Sequence, residues 1–173
     1  MPLRPAIFRS GRRRWARPLD RRLQAYHADV AEQSSAIDRQ LASVADTVDA
    51  LRRRDVEADE GLQLLLAAEG ALELAAATWR DTSVPGALRV LHTEYEANLD
   101  RTLRGVATAE QGCRVARMRH HDAEGDEPLG HWKRGHLNIL HAHLRMQELA
   151  GILLTWEPGM PAKPTAAARV RGT

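Results

Sequence analysis

The sequence predicts an all-α fold, an elongated antiparallel helical bundle or coiled coil of three or four helices. Alanine, leucine, arginine and glutamate dominate the 173 residues, and these residue types favour helices. Aromatic residues make up 4% of the chain, and segments rich in valine, isoleucine, threonine and tyrosine, as strands require, are missing. Apolar residues also return every three or four positions, which is the period of a helix with one buried side.

The clearest repeat begins at Leu19 and predicts a long first helix. Its steps alternate between three and four residues, with one extra four-residue step from Ile37 to Leu41. Such a heptad pattern is typical of coiled coils, in which the repeated positions form a narrow strip of packing. The predicted strip consists of Leu19, Leu23, Tyr26, Val30, Gln33, Ile37, Leu41, Val44, Val48 and Leu51.

The chain after this strip allows two architectures. The charged stretch 52–58 is either a turn or a solvated part of one helix over 19–81, which would be about 90 Å long. Periodicity resumes at Leu62, Leu65, Glu69, Leu72, Ala76 and Trp79. The sequence therefore leaves open a rod with two helices packed on it and a four-helix bundle with a turn near 52–58.

Turn signals divide the second half of the chain. The stretch "DTSVPG" at 81–86 offers capping side chains and a proline suited to a first helical turn, so the next helix is predicted from about Pro85 to His120. The stretch "HHDAEGDEPLG" at 120–130 predicts a polar turn. The last helix is predicted to cover about 131–157.

Two terminal segments flank the predicted bundle of residues 19–157. Residues 1–18 contain three prolines and few apolar residues, which predicts a disordered basic arm, and residues 158–173 read as a flexible Pro/Ala-rich tail. Residues 1–22 carry eight arginines and one aspartate, a net +7, whereas the rest holds 17 cations and 22 acids, a net −5. This asymmetry predicts a polyanionic partner.

The arm carries the predicted binding residues. Guanidinium groups neutralise phosphates and release counterions, and aromatic rings can stack on bases. The predicted contacts to DNA, RNA or an acidic protein are Arg4, Arg9, Arg12, Arg13, Arg14, Trp15 and Arg17. The sequence leaves open whether the partner is a nucleic acid or an acidic protein surface, or whether the arm is a solubilising tail.

The histidines between 120 and 143 raise the question of a metal or catalytic site. On a helix only His136 and His143 share a side, and they lie about 10.5 Å apart along the axis, too far for one zinc ion. They are predicted to occupy interior or interface positions, either as hydrogen-bonded core histidines or as a layer whose packing responds to pH. An apolar arc of the same predicted helix, next to these two histidines, consists of Leu137, Leu140, Leu144 and Leu154. A site across the polar turn, from His120, His121 and His131, is the remaining metal alternative.

Other candidate chemistry is sparse. Cys113 lies on a predicted apolar stripe, where a thiol is usually buried and inert, and His92 with Glu96 is predicted to be a surface contact. The chain contains no P-loop, no G-x-S-x-G, no H-E-x-x-H and no repeated Glu-x-x-His signature. We therefore expect no catalytic residue, no resident metal and no cofactor.

Composition predicts a cytoplasmic protein. The chain has one cysteine, so an intrachain disulfide is impossible and a reducing compartment is the simpler expectation. No uninterrupted run of about 18 apolar residues occurs, so no membrane span is expected. Arginine outnumbers lysine 23 to 2, a bias that suggests the GC-rich genome of a bacterium.

These observations together predict a non-enzymatic helical scaffold or adaptor. It would oligomerise through coiled-coil strips, as a homo-oligomer or within a larger protein assembly, and contact nucleic acid or an acidic partner through the arm. The alternative is a small helical metal-binding protein or enzyme that uses the histidines around 120–143.

Overall fold

A computed structural model describes residues 18–118 and 127–159, and within these ranges the regular elements are helices. The predicted arm and tail lie outside the described residues except for their innermost positions, as do His120 and His121. The elements are α1 (Pro18–Arg53), α2 (Ala58–Arg80), a 3₁₀ turn (Gly86–Leu88), α3 (Arg89–Met118) and α4 (Glu127–Thr155). The all-α prediction is confirmed.

The four helices pack side by side, with α1 against α2 and α4, and α3 against α2 and α4. Neighbouring helices run in opposite directions. Near one end, Gln33 of α1 donates a hydrogen bond to Thr82, just after α2, at 3.0 Å. At the other end of the same pair, Leu51 packs against Gly61. The helices α2 and α4 therefore occupy opposite corners of the bundle.

The turn between α1 and α2 excludes the single long rod. The amide of Asp55 donates a hydrogen bond to the carbonyl of Ala50 at 2.9 Å, and the amide of Arg54 donates one to the carbonyl of Leu51 at 3.1 Å. This pair of bonds is a Schellman motif, which ends a helix and satisfies its last carbonyl groups. It requires a left-handed residue, and Arg54 takes that conformation with φ of 63°.

On α1, the side that faces the core consists of residues that the 3–4 spacing selected. Eight members of the predicted α1 strip with described side chains are partly or fully buried apolar residues, namely Leu23, Tyr26, Val30, Ile37, Leu41, Val44, Val48 and Leu51. The apolar arc next to His136 and His143 lies mostly on the outside of the bundle, with Leu154 half-buried. Leu137, Leu140 and Leu144 are exposed, because α4 reaches its neighbours α1 and α3 through its other side.

The helices α3 and α4 approach each other most closely at glycines. A methyl group added at Gly135 would lie 2.8 Å from the carbonyl oxygen of Gly105 and 3.1 Å from the amide nitrogen of Ala109. One added at Gly112 would lie 2.7 Å from the indole nitrogen of Trp132. The absence of side chains at these positions sets the distance between the two helices.

Candidate functional site

The outward face of α2 is the most unusual surface in the described part of the chain. Leu64, Leu66 and Leu74 are 47%, 40% and 70% exposed. Nine uncharged residues cover about 160° of the helix surface at 100° per residue. This outward face of α2 consists of Gln63, Leu64, Leu66, Ala67, Gly70, Ala71, Leu74, Ala77 and Thr78.

Charge is placed away from this face. Between Gly61 and Trp79 the charged residues of α2 are Glu69 and Glu73. Glu69 is directed toward α3, where its carboxyl group contacts that of Glu110, whereas Glu73 lies at the edge of the face. The face is therefore an apolar strip about 22 Å long that water covers in the single chain. Contiguous apolar patches of this kind mark sites of interaction.

A second apolar strip lies at the opposite corner of the bundle. Leu137, Leu140 and Leu144 follow one another at steps of three and four residues on the outside of α4, and two of them are about half exposed. Lys133 precedes the strip and Glu148 follows it, both exposed. This strip is shorter than the outward face of α2 and is flanked by charge.

A cleft between α1 and α4 contains the main polar contact of the two helices. Its volume is about 410 Å³, and Tyr95 of α3 forms part of its lining. The carboxylate of Asp38 accepts hydrogen bonds from His143 Nε2 at 2.6 Å and from Gln147 at 2.8 Å. The bond from His143, and secondly that from Gln147, lowers the pKa of Asp38 below its ordinary value.

We expect the substitution His143→Ala to raise the pKa of Asp38 toward its ordinary value of 3.8, because the strongest bond to the carboxylate is lost. A lowered carboxyl pKa stabilises the fold above the unfolded value, and this contribution is lost as the pH falls through the lowered value. The variant should therefore show a weaker dependence of unfolding free energy on pH below about 4. Carbon-detected NMR titration of Asp38 measures the shift. His141→Ala, an exposed site on the same helix, is the control, and an unchanged Asp38 pKa in His143→Ala would contradict the contact.

His92 belongs to a buried network at one end of the bundle, so the prediction of a surface contact with Glu96 is wrong. Its Nε2–H donates to the carbonyl of Trp79 at 3.0 Å, and its Nδ1 accepts from the Tyr26 hydroxyl at 3.1 Å. The imidazole stacks on the indole of Trp79 at 4.5 Å. Burial lowers the pKa of His92. These contacts fix the neutral ring and make it part of the core.

A pair of carboxyl groups joins α2 to α3. Glu110 is buried, and its Oε2 accepts from Arg114 at 2.7 Å, while its Oε1 has no hydrogen-bond partner in the described part of the chain. Burial, and secondly the charge of Glu110, raises the pKa of Glu69. A proton on Glu69 would be donated to a carboxylate oxygen of Glu110. Glu110 is thus buried in the contact between α2 and α3, whereas Glu69 is half-buried.

The predicted site residues have separate positions. The predicted contacts of the arm lie outside the described residues, as do His120 and His121. They are Arg4, Arg9, Arg12, Arg13, Arg14, Trp15 and Arg17. The third histidine of the metal alternative, His131, is half-buried on α4 against Gly112. Within the described ranges, no group of three histidine, cysteine or acidic side chains is placed to hold a metal ion.

The two histidines predicted to share a side of α4 have different surroundings. His143 lies at the α1–α4 contact, and His136 is half-buried with an Nδ1 that has no hydrogen-bond partner in the described part of the chain. Cys113 is buried, and burial raises the pKa of its thiol, which disfavours the reactive thiolate.

Sequence reasoning missed three features. His92 falls in register with Leu88, Tyr95 and Leu99 at steps of four, three and four residues, a signal that could have placed it in the core. The outward face of α2 shows the same spacing at Leu64 and its successors, hidden because the buried side of that helix is also apolar. Nothing in the sequence links Asp38 to His143.

Fold and surfaces together define a class, an all-helical protein of four packed helices with apolar strips on its described outer surface. Scans of the chain against protein-family models, curated proteins and solved structures find no match.

One helix in the described part of the chain, α2, is long and apolar enough by length and composition to cross a membrane. Helices packed in the core of water-soluble proteins meet the same criterion, so this property has little weight by itself. In the bundle, α2 buries Leu62, Leu65, Leu72, Ala76 and Trp79 against its neighbours.

Proposed function

We propose that this protein is a non-enzymatic helical scaffold or adaptor. In this proposal the packed helices form a rigid body, the outward face of α2 provides coiled-coil contacts to another protein surface, and the arm binds a polyanion. The observation that carries the proposal is the outward face of α2, an uncharged strip with three exposed leucines on a helix whose other side is already buried.

The energetics favour a covered face over a solvated one. Burying a leucine contributes roughly 1.5–3 kcal/mol relative to leaving it in water. Leaving three leucines exposed on one side of α2 forgoes that contribution unless a partner covers them. The polar groups described above are directed to one another within the bundle, which supports a role in contact rather than in chemistry.

The arm supplies the second part of the proposal. Its excess of arginine over acid supports electrostatic contact with DNA, RNA or an acidic protein, and this contact needs no folded site. The chain also offers an internal comparison, because the triplet "RRR" occurs at 12–14 and again at 52–54. In the second triplet, Arg52 and Arg53 form ion pairs with Asp49.

The test measures native mass and polyanion binding of the full chain. Light scattering should give a particle of at least two chains of 19.3 kDa, and fluorescence anisotropy should detect salt-sensitive binding to a generic DNA duplex or to polyglutamate. Replacing Arg12, Arg13 and Arg14 with glutamine should reduce the log–log salt slope for a duplex by about 2 to 3. The same change at 52–54 is the matched control and should leave the slope nearly unchanged. A monomer that binds neither probe would overturn the proposal.

A further inference from the structure

We infer that the outward face of α2 binds the same face of a second copy of this chain, with the two α2 helices antiparallel. The inference rests on the proposed function, because it names the partner of that same face. It places a two-fold axis between the helices near residue 69. The spacing, the size and the charge of the residues on the face support a second copy as the partner.

The spacing makes the face complementary to itself. Leu64, Ala67, Ala71 and Leu74 follow one another at steps of three, four and three residues, the positions that form the strip of a two-helix coiled coil. When a second α2 runs in the opposite direction about residue 69, Leu64 lies opposite Leu74 of the second copy. Ala67 then lies opposite Ala71 of the second copy. Large residues meet at both ends and small residues meet in the middle.

Small residues at the centre allow close approach. Gly70 has no atom within 4 Å of the position that a β-carbon would take, so the helix surface there is open. Ala67 and Gly70 are exposed and Ala71 is half-buried, and none of them projects beyond a methyl group. Helices that meet at such residues bring their backbones together and let the terminal leucines pack on both sides.

Charge at the ends favours the antiparallel direction. The first turn of α2 contains Asp59, which pairs with Arg117, and Glu60, while Arg80 in the last turn already pairs with Glu96 and Asp100 of α3. An antiparallel pair keeps the two Glu60 carboxylates at opposite ends of the interface and opposes the two helix dipoles. A parallel pair would place the two Glu60 carboxylates together at one end, which costs free energy.

The same charges disfavour a membrane surface as the partner. Amphipathic helices that lie on membranes carry lysine and arginine beside their apolar side, and these cations attract anionic lipid. The acidic residues next to the outward face of α2 are Glu73 at its edge and Asp59 and Glu60 in the first turn of the helix, and anionic lipid repels them. A second copy of α2 requires no such attraction, because it provides the same uncharged strip.

The first experiment measures the mass of the full chain by analytical ultracentrifugation from roughly 1 to roughly 500 µM, since one helix pair gives an interface at the small end of the usual range. The wild-type chain should be in monomer–dimer equilibrium. Leu64→Glu/Leu74→Glu should raise the dissociation constant more than about 100-fold. Leu137→Glu/Leu144→Glu, the matched change on α4, should leave it within a factor of about two. Circular dichroism melts of each variant confirm that the body still folds.

The second experiment fixes the direction by cross-linking under mild oxidation. Chains carrying Leu64→Cys and chains carrying Leu74→Cys should form a disulfide-linked dimer when they are mixed. Each alone should not, because in the antiparallel pair a residue at 64 lies about 15 Å along the axis from its copy. The wild-type chain, whose Cys113 is buried, is the control for cross-linking through that thiol.

Each outcome decides the inference. The inference is supported if Leu64→Glu/Leu74→Glu dissociates the dimer and the mixture of the two cysteine variants forms a disulfide-linked dimer. A disulfide between two chains that both carry Leu64→Cys overturns the antiparallel direction. Dissociation of the dimer by Leu137→Glu/Leu144→Glu overturns the choice of the α2 face. Both results leave the scaffold proposal intact. The wild-type chain could instead be a monomer that sediments with phosphatidylcholine vesicles, with the double substitution Leu64→Glu/Leu74→Glu abolishing this sedimentation. That result would overturn the inference of a second copy and identify a lipid surface as the partner. A monomer that binds polyanions through its arm overturns this inference alone.

Discussion

Gly135→Ala should destabilise the protein by about 2–3 kcal/mol, because the added methyl group forces two helices apart. The new carbon would lie 2.8 Å from the carbonyl oxygen of Gly105 and 3.1 Å from the amide nitrogen of Ala109. Both contacts are with backbone atoms, which cannot move aside by a change of rotamer. Relief therefore requires a shift of α4 along much of its contact with α3, where the two helices bury a large part of the core.

Urea denaturation followed by circular dichroism measures this effect. Gly151→Ala is the matched control, because it makes the same change on the same helix at a position with no atom within 4 Å. There the intrinsic preference of alanine for helix should stabilise the protein by about 0.5–1 kcal/mol. Two variants of equal chemistry should thus differ in sign. An equal effect of both would show that α3 and α4 do not approach closely at Gly135.

His92→Ala should destabilise the protein by about 3 kcal/mol at pH 8, because it empties a packed site and removes two hydrogen bonds. The Tyr26 hydroxyl would lose its acceptor, and the Trp79 carbonyl would lose one of its two donors, since the amide of Thr82 also donates to it at 3.2 Å. The indole of Trp79 would also lose one of its two stacking partners, since it packs between His92 and Tyr95. Tyr26→Phe removes one of these bonds alone and should cost about 1 kcal/mol.

His92 should also make the unfolding free energy of the wild-type protein depend on pH in mild acid. Burial lowers the pKa of His92 in the folded state, so the unfolded chain, with an ordinary value of 6.5, takes up the proton first. The stabilisation is therefore complete above about pH 6.5 and is lost as the pH falls from there through the lowered pKa. Hydrogen bonding to Trp79 and the charge of Glu96 act in the opposite direction and limit the shift.

Urea denaturation of wild type and His92→Ala at pH 8 and pH 5.5 separates these effects. The wild-type protein should lose more unfolding free energy between the two pH values than the variant does, because the variant lacks the titrating group. His141→Ala, which changes an exposed histidine, should keep the wild-type difference. A His92→Ala protein with the full wild-type dependence on pH would assign that dependence to another group.

Much of the fold follows from local pattern. The spacing of Tyr26, Val30 and Ile37 selects the buried side of α1 because a helix with one apolar side must cover it. The stop at 81–86 follows from capping residues and a proline, whose conformational preferences act within a single turn. The turn at Arg54 could not be predicted with certainty from local pattern. Its left-handed conformation is usually marked by glycine, but an arginine adopts it here.

The candidate site was less accessible from the sequence. Leu64 and Leu65 are neighbours of the same residue type, yet one is exposed and the other is fully buried. Periodicity alone assigns both to apolar positions when a helix is apolar on most sides. The arm, by contrast, is defined by composition alone, since its charge needs no partner in the fold to be recognised.

The sequence by itself determined the helical class, the approximate helix positions and the uneven placement of charge, with a basic N-terminal segment and an acidic remainder. These depend on interactions between residues a few positions apart and on summed charge. Tertiary structure alone decided that α1 and α2 are separate helices, that His92 is a core residue and that His143 meets Asp38 across 105 positions. It also decided which apolar side of α2 is buried. Such choices depend on which helix lies beside which, and that arrangement is a property of the packed chain as a whole.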